Sequence, residues 1–321
     1  MLRLRAVGDI MLGSSVPEGH LPPDGGAQLL EGVAPLLRDA DVTFGNLEGP
    51  LCDSGTSNKC RPGSNCFAFR SPTAYGAHLA DAGIDVVSTA NNHAADFGEA
   101  CRRETEATLD AHHIAWSGPP GSVARLMVNG HRVALVAFHP SSATNDLNDL
   151  PAAKKLVSEL AHEVELVVVS FHGGKEGTNA THVADGAESY LGENRGDLKR
   201  FTHAMVEAGA ALVLGHGPHV LRAMEVYQGH LIAYSLGNFA TFGRFDLSGP
   251  LAVSVVLEVS LDAKGRFVEG RLWSTKQLGL GVPVVDDEGK GAKMIDSLGR
   301  ADFPLSTVLV DADGRLLPKG P

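Results

Sequence analysis

The stretch Asp85–Gly98, DVVSTANNHAADFG, decides how this chain is read. Val86 and Val87 form a short apolar run that reads as a buried strand. The run gives way to Asn91, Asn92 and His93, with Asp96 and Gly98 close behind. Polar side chains gathered where an apolar strand stops are costly to place unless a cleft, a metal or a ligand supplies partners. In open α/β sheets, ligands sit in the crevice at the carboxyl ends of the strands. An Asn-rich turn with a capping histidine would look the same in isolation. Recurrence along the chain separates the two readings.

Outward from this stretch, the pattern repeats. Residues 2–8 alternate as a strand and end at Asp9, and residues 41–45 run into Asn46 and Glu48. RVALVAF ends at His139, ELVVVSF at His172, and ALVLG at His216, followed by His219. Carboxylate, amide and imidazole groups in such positions suit a borderline metal such as Mn, Fe or Zn. Between the strands, helices are expected over 27–39 (with Pro35 shortening or bending it), 73–82, 98–112, 151–162 and 194–208. Asn129-Gly130 and Gln228-Gly229 mark hairpin turns, and strands are expected at 251–260 and 266–274. Early βα units and late hairpins suggest an α/β protein with two packed sheets and helices outside, in one domain. The last 45 residues or so carry weaker signals and are expected to wrap the surface.

With 321 residues, 43% hydrophobic and 20% charged, the composition is that of a globular protein with a sizeable core. A net charge of -11 argues against nucleic acid or an anionic membrane surface as main partner. It leaves room for an anionic small-molecule or polymer substrate, because a local metal centre can outweigh the global charge. No apolar run approaches the roughly 18 residues of a transmembrane segment. The start, MLRLRAVGDI, lacks a signal-peptide core.

Cys60 and Cys66 enclose the turn-forming RPGSN, and a disulfide between them is preferred to a zinc knuckle. Cys52 and Cys101 form a second pair, or Cys101 is a buried helix residue. A disulfide implies an oxidising compartment. The expected location is therefore extracytoplasmic, with the leader absent from this chain; the cytoplasm is the alternative.

GDIMLG, NLEGPL, ANNHAADFG, FHGGKEG, GHGPHV and YSLGNF, between Leu2 and Phe239, resemble the CapA-like proteins named for poly-γ-glutamate capsule biosynthesis. That family belongs to the calcineurin-like metallophosphoesterase superfamily. The resemblance implies a four-layered α/β/β/α sandwich with two mixed sheets, set out as a domain over 1–275 and a C-terminal extension, 276–321, packed on it. It implies two divalent ions. Asp9 would bind the first and Glu48 would bridge both. Asn92 and His172 would bind the second, and His216 and His219 would add imidazoles. His93 would protonate the leaving group, making it and Asp9 the catalytic candidates. Glu176 would orient His172, Asn238 would shape the site wall, and Asn46, Asn91 and His139 stand at strand ends nearby. Arg61, Arg70 and Lys175 are candidates for binding an anionic substrate, against the plainer reading of salt-bridged loop residues.

The departures from the superfamily pattern are also informative. Its usual histidine two positions after the first aspartate is Met11 here, which leaves the first metal site short of a ligand and weak or empty. The bridging aspartate is replaced by Glu48, and with Gly217 in the final motif His216 and His219 are separated by two residues where the superfamily's histidines are separated by one. Three functions follow from the resemblance. One is a metal-dependent hydrolase of phosphoesters or γ-glutamyl bonds. Another is a non-catalytic accessory that binds an envelope polymer during synthesis or export. The third is a metal-independent acid–base enzyme such as a peptide epimerase, pairing Asp9 with His93 or His219.

Overall fold

The computed structural model describes residues 1–60 and 66–318. Arg61, a candidate anion ligand, lies outside them. Two large sheets face each other. From edge to edge, the larger runs through Leu309–Val310, Arg315–Leu317, Phe267–Leu278, Val253–Leu261, Leu2–Met11, Val42–Leu47, Val86–Ser88 and Ala115–Ser117. Asn238–Thr241 also pairs with Leu2–Met11, and Val282–Val285 with Phe267–Leu278. The smaller runs through Met224–Tyr227, His230–Ala233, Leu212–His216, Leu166–His172, His131–His139 and Ala124–Val128, with Asn145–Asp146 beside His131–His139. Both are mixed sheets with parallel pairs at the centre.

The period-2 alternation of each strand sorts its side chains between two cores. Along His131–His139, Val133, Leu135 and Ala137 join Leu4, Phe44 and Leu257 of the larger sheet in the layer between the sheets. Their neighbours Ala134, Val136 and Phe138 face outward onto Val157 and Leu160 of helix Leu150–Glu163 and Phe201 and Met205 of helix Leu198–Glu207. The outer face of the larger sheet is covered through Leu37, Leu79 and Leu109, on helices Ala34–Arg38, Gly76–Ala82 and Gly98–Ala111. Each such side chain contributes about 1.5–3 kcal/mol on burial. The result is the α/β/β/α sandwich. Among the described residues, no helix is long and apolar enough to cross a membrane.

Three local expectations are corrected. Regular helix in 27–39 is confined to Ala34–Arg38, with residues before it in turns. Pro35 sits in the helix's first turn, where its missing N–H costs nothing, so it starts the helix and does not bend it. The helix expected from 194 begins at Leu198, because Glu193–Gly196 pairs with Glu188–Tyr190 as a ribbon. The tail does more than wrap the surface. Val282–Val285, Leu309–Val310 and Arg315–Leu317 extend the larger sheet, and helix Lys290–Asp302 sends Ala292 and Ile295 into the central core.

Candidate metal centre

Parallel strands from both sheets bring their carboxyl ends to one edge. Asp9 is in register with Asn46 on one neighbouring strand and with Asn238 on the other. Glu48 follows directly after Leu47, where that strand ends. In the smaller sheet, His172 and His216 are register partners at the ends of adjacent strands. The chain then turns through Gly217 and through His219 at φ 62°, which carries the second imidazole back toward Asp9.

Asp9, Glu48 and His172 are buried and offer ligand atoms that all lie within 4.8 Å of one another. His216 Nδ1 is 3.3 Å from Asp9 Oδ1, and His219 Nδ1 is 3.0 Å from Asp9 Oδ2. His219 Nε2 lies 3.6 Å from Glu48 Oε1, and His172 Nε2 lies 3.8 Å from the same oxygen. A shell of amides fixes these groups. Asn46 Nδ2 donates to Asp9 Oδ1 at 2.8 Å, and Asn91 Nδ2 donates to the Leu47 carbonyl at 2.9 Å. Asn238 Oδ1 is 3.1 Å from His219 Nδ1, and His139 Nδ1 is 2.9 Å from the His172 carbonyl oxygen.

The donor set fits a metal because its polar atoms lack partners. Both carboxylate oxygens of Glu48, Asn92 Oδ1, His172 Nε2 and both ring nitrogens of His216 are buried without a hydrogen bond among the described residues. Native interiors leave few such atoms, and here they gather on residues of the types that ligate cations. The charges agree. Burial opposes ionisation of Asp9, yet the imidazoles of His216 and His219 hold its carboxyl far below the usual range. Burial and the neighbouring Asp9 charge push Glu48 well above the ordinary carboxylate value. A cation would reverse that balance for Glu48. Burial also works against charge on His219, but Glu48, Asp9 and Glu176 together push its pKa up to about 10.

A second polar group lies beside this one. His93 Nδ1 is 2.7 Å from Asp96 Oδ2, which also accepts from the Phe69 N–H at 2.8 Å. Lys59 Nζ reaches Asp96 Oδ1 at 2.5 Å, the Asn92 carbonyl at 2.8 Å and His93 Nδ1 at 3.2 Å. Burial pulls the His93 imidazole down to about 4 against the favourable charge of Asp96.

With this geometry in place, comparison with known proteins is decisive on one point. The family described as "Bacterial capsule synthesis protein PGA_cap" matches residues 3–242. The chain belongs to that family. Among curated relatives, the PGA biosynthesis protein CapA of Bacillus subtilis is 28% identical over 73% of this chain and 61% of its own length. The capsule biosynthesis protein CapA of Bacillus anthracis is 30% identical over 74% of this chain and 59% of its own. A probable polyglutamine synthesis accessory protein of Mycobacterium tuberculosis is 27% identical over 65% of this chain and 58% of its own. The chain thus spans about three fifths of the length of these relatives. Among solved structures, a 5'-nucleotidase precursor from Thermus thermophilus aligns at TM-score 0.45 and 16% identity, over 95% of this chain and 59% of that one. A purple acid phosphatase from yellow lupin aligns at TM-score 0.41 and 11% identity, over 88% and 53%.

In this PGA_cap member, Asp9, Glu48 and His172 cluster together, His216 stands against Asp9, and His219 stands against both Asp9 and Glu48. Asn92 contributes a buried, unpartnered amide oxygen beside them in sequence, next to Asn91. Met11 is buried outside the cluster, its sulfur 3.3 Å from the Gly13 N–H. Glu176 corrects an expectation. Its carboxylate lies 3.7 Å from His219 Nε2, where it was expected to orient His172, and its other oxygen is 2.9 Å from Arg195 Nη2. Arg70 makes no ion pair among the described residues; it bonds Ser15 and the Gly55 carbonyl. Sequence reasoning missed Lys59, Arg195 and the partnership of Asp96 with His93. Both cysteine pairs are disulfides, Cys52–Cys101 and Cys60–Cys66. The second ties Lys59 to the segment that ends at Phe69, so both stems of one closed loop rest on the His93–Asp96 pair.

Proposed function

We propose that the chain is a metal-dependent hydrolase of anionic substrates at the bacterial envelope, acting on a phosphoester or on the bonds of a glutamyl polymer. The convergence of buried, unpartnered donor atoms on Glu48, His172 and His216 around Asp9 carries this reading. Asp9, His216 and His219 would hold one cation, Asn92 and His172 a second, and Glu48 would serve both. When bound, such ions supply Lewis-acid polarisation and an activated water. Asn46 fixes Asp9, His139 steadies the His172 loop, and Asn238 with Glu176 holds the His219 ring. Asp96 anchors His93 at Nδ1, leaving Nε2 to give a proton to the departing oxygen. A negatively charged substrate beside that ring would restore the proton affinity that burial has lowered. Two disulfides fit a location outside the reducing cytoplasm.

Metal analysis of protein purified without chelator, alongside hydrolysis of a chromogenic phosphodiester, tests the proposal. Two equivalents of metal with turnover support it; neither metal nor turnover sinks it. Met11, with its sulfur turned to a backbone N–H, favours a second reading in which the site binds an envelope polymer without cleaving it. The Asp9–His219 contact favours a third, proton transfer without metal. Solvent-deuterium exchange into a glutamyl peptide by chelator-treated protein would separate it from the other two.

A further inference from the structure

We propose that Arg244, seated on an aromatic wall at the rim of the metal centre, binds a second carboxylate of the substrate, distinct from the group offered to the ligand cluster. The inference rests on reading the cluster as the place where an anionic chain docks. It begins with two loops that meet over the site. Phe245, beyond the strand that carries Asn238, packs edge-on against His219 with centroids 5.3 Å apart. Phe245 stacks on Phe69 at 5.2 Å, and Phe69 lies 4.2 Å from the His93 ring. The wall therefore runs from one end of the polar cluster to the other. Phe67 continues it outward, 6.3 Å from Phe69 and 42% exposed.

Arg244 lies over that outer ring, its guanidinium carbon 5.2 Å from the Phe67 centroid. Its Nε is buried and has no hydrogen-bond partner among the described residues. No carboxylate among the described residues pairs with it, and nearby Asp246 turns to Ser248 instead. The chain does not lack acids, with 38 Asp and Glu against 27 Lys and Arg. A guanidinium resting on an aromatic face keeps its planar fork of donors free and partly desolvated. Such a fork matches a planar carboxylate bidentately, and desolvation strengthens the match. At the other end of the wall, Lys59 is already committed to Asp96 and His93. Among the described residues, Arg244 is thus a rim cation left for a ligand. A substrate that satisfied both places would carry at least two anionic groups, as a chain of glutamyl units does.

The test is binding of a short γ-linked glutamyl oligomer, measured by calorimetry on metal-loaded full chain. Arg244→Gln should weaken Kd by about tenfold or more, with metal content and melting temperature unchanged. Arg244→Lys, which keeps the charge and loses the fork, should recover only part of the loss. Equal affinity of Arg244→Gln and the parent overturns the proposal, as does failure of the parent to bind the oligomer at millimolar concentration. An Arg244-dependent preference for linear polyphosphate over the oligomer overturns the carboxylate assignment. Weakened binding by Arg244→Gln in a protein that shows no hydrolysis removes the hydrolase reading and supports the subsite.

Discussion

Two buried polar clusters in this molecule lie close together in the sequence and have opposite characters. Arg222 sends Nη1 and Nη2 to the two oxygens of Glu188 at 2.8 Å each, and Nε to the Ala180 carbonyl at 2.7 Å. Every strong group there is answered from within the chain, and the cluster pins the loop that leads from His172 to the next helix. A few residues earlier, among the described residues, His216 has neither ring nitrogen hydrogen-bonded, and Glu48 has neither oxygen hydrogen-bonded. Both clusters are desolvated to a similar degree. The closed one is a clamp, and the open one implies a ligand from outside the chain.

That contrast can be broken at either end. The largest effect is expected from Glu48→Gln, which keeps the shape and removes the charge. Metal content and any esterase activity should fall together to background, while the chelated variant should melt no lower than the chelated parent, since glutamine fills the site without having to hold a proton against burial and the Asp9 charge. A variant that keeps its full metal complement would refute the bridging role. His93→Ala should retain metal and lose rate by about 10²–10⁴-fold, most for esters with poor leaving groups. Loss of metal in that variant would make His93 a ligand.

Breaking the closed cluster should behave differently. Arg222→Met leaves the Glu188 carboxylate buried and unpaired, and should cost about 3–5 kcal/mol of stability by denaturant unfolding. Below the unfolding transition its metal content should match the parent's. The smallest effect is a pH dependence. With no cation beside it, Glu48 holds its proton well above the usual carboxylate range. Metal must displace that proton, so affinity should rise with pH, by about tenfold per unit where one proton is exchanged. Equilibrium dialysis across the acid range checks the sign, and tighter binding at lower pH would contradict it.

What the sequence made legible follows from the same contrast. Asp9, Glu48, His172 and His216 each terminate an apolar run, so the cost of placing them betrays them before any coordinates exist. Both large sheets were readable because their inner strands are continuous and apolar. Lys59 was not readable, because a lysine in an irregular loop has no period, and only the folded loop brings it to His93. Arg244 and Phe245 lie in another such loop. The tail helix Lys290–Asp302 escaped because glycine and alanine share its buried face with Ile295 and Leu298, which dilutes the apolar signal. For Pro35 the sequence left shortening and bending open, because proline at a helix start and proline inside a helix read alike when the start is unmarked; the helix is short and starts there.

Gly217 bears on what this scaffold can become. It adopts φ 113°, and a Cβ there would come within 2.6 Å of the Gly173 carbonyl oxygen and 2.8 Å of its nitrogen. The turns after His172 and His216 touch backbone to backbone at that point. Any side chain placed at position 217 would force the two turns apart and carry both ligands with them. The glycine between the two imidazoles is therefore not open to a single substitution. A lineage or an engineer wishing to place a side chain there must rebuild both turns together, so this position is held by geometric lock-in and not by the chemistry of any one side chain.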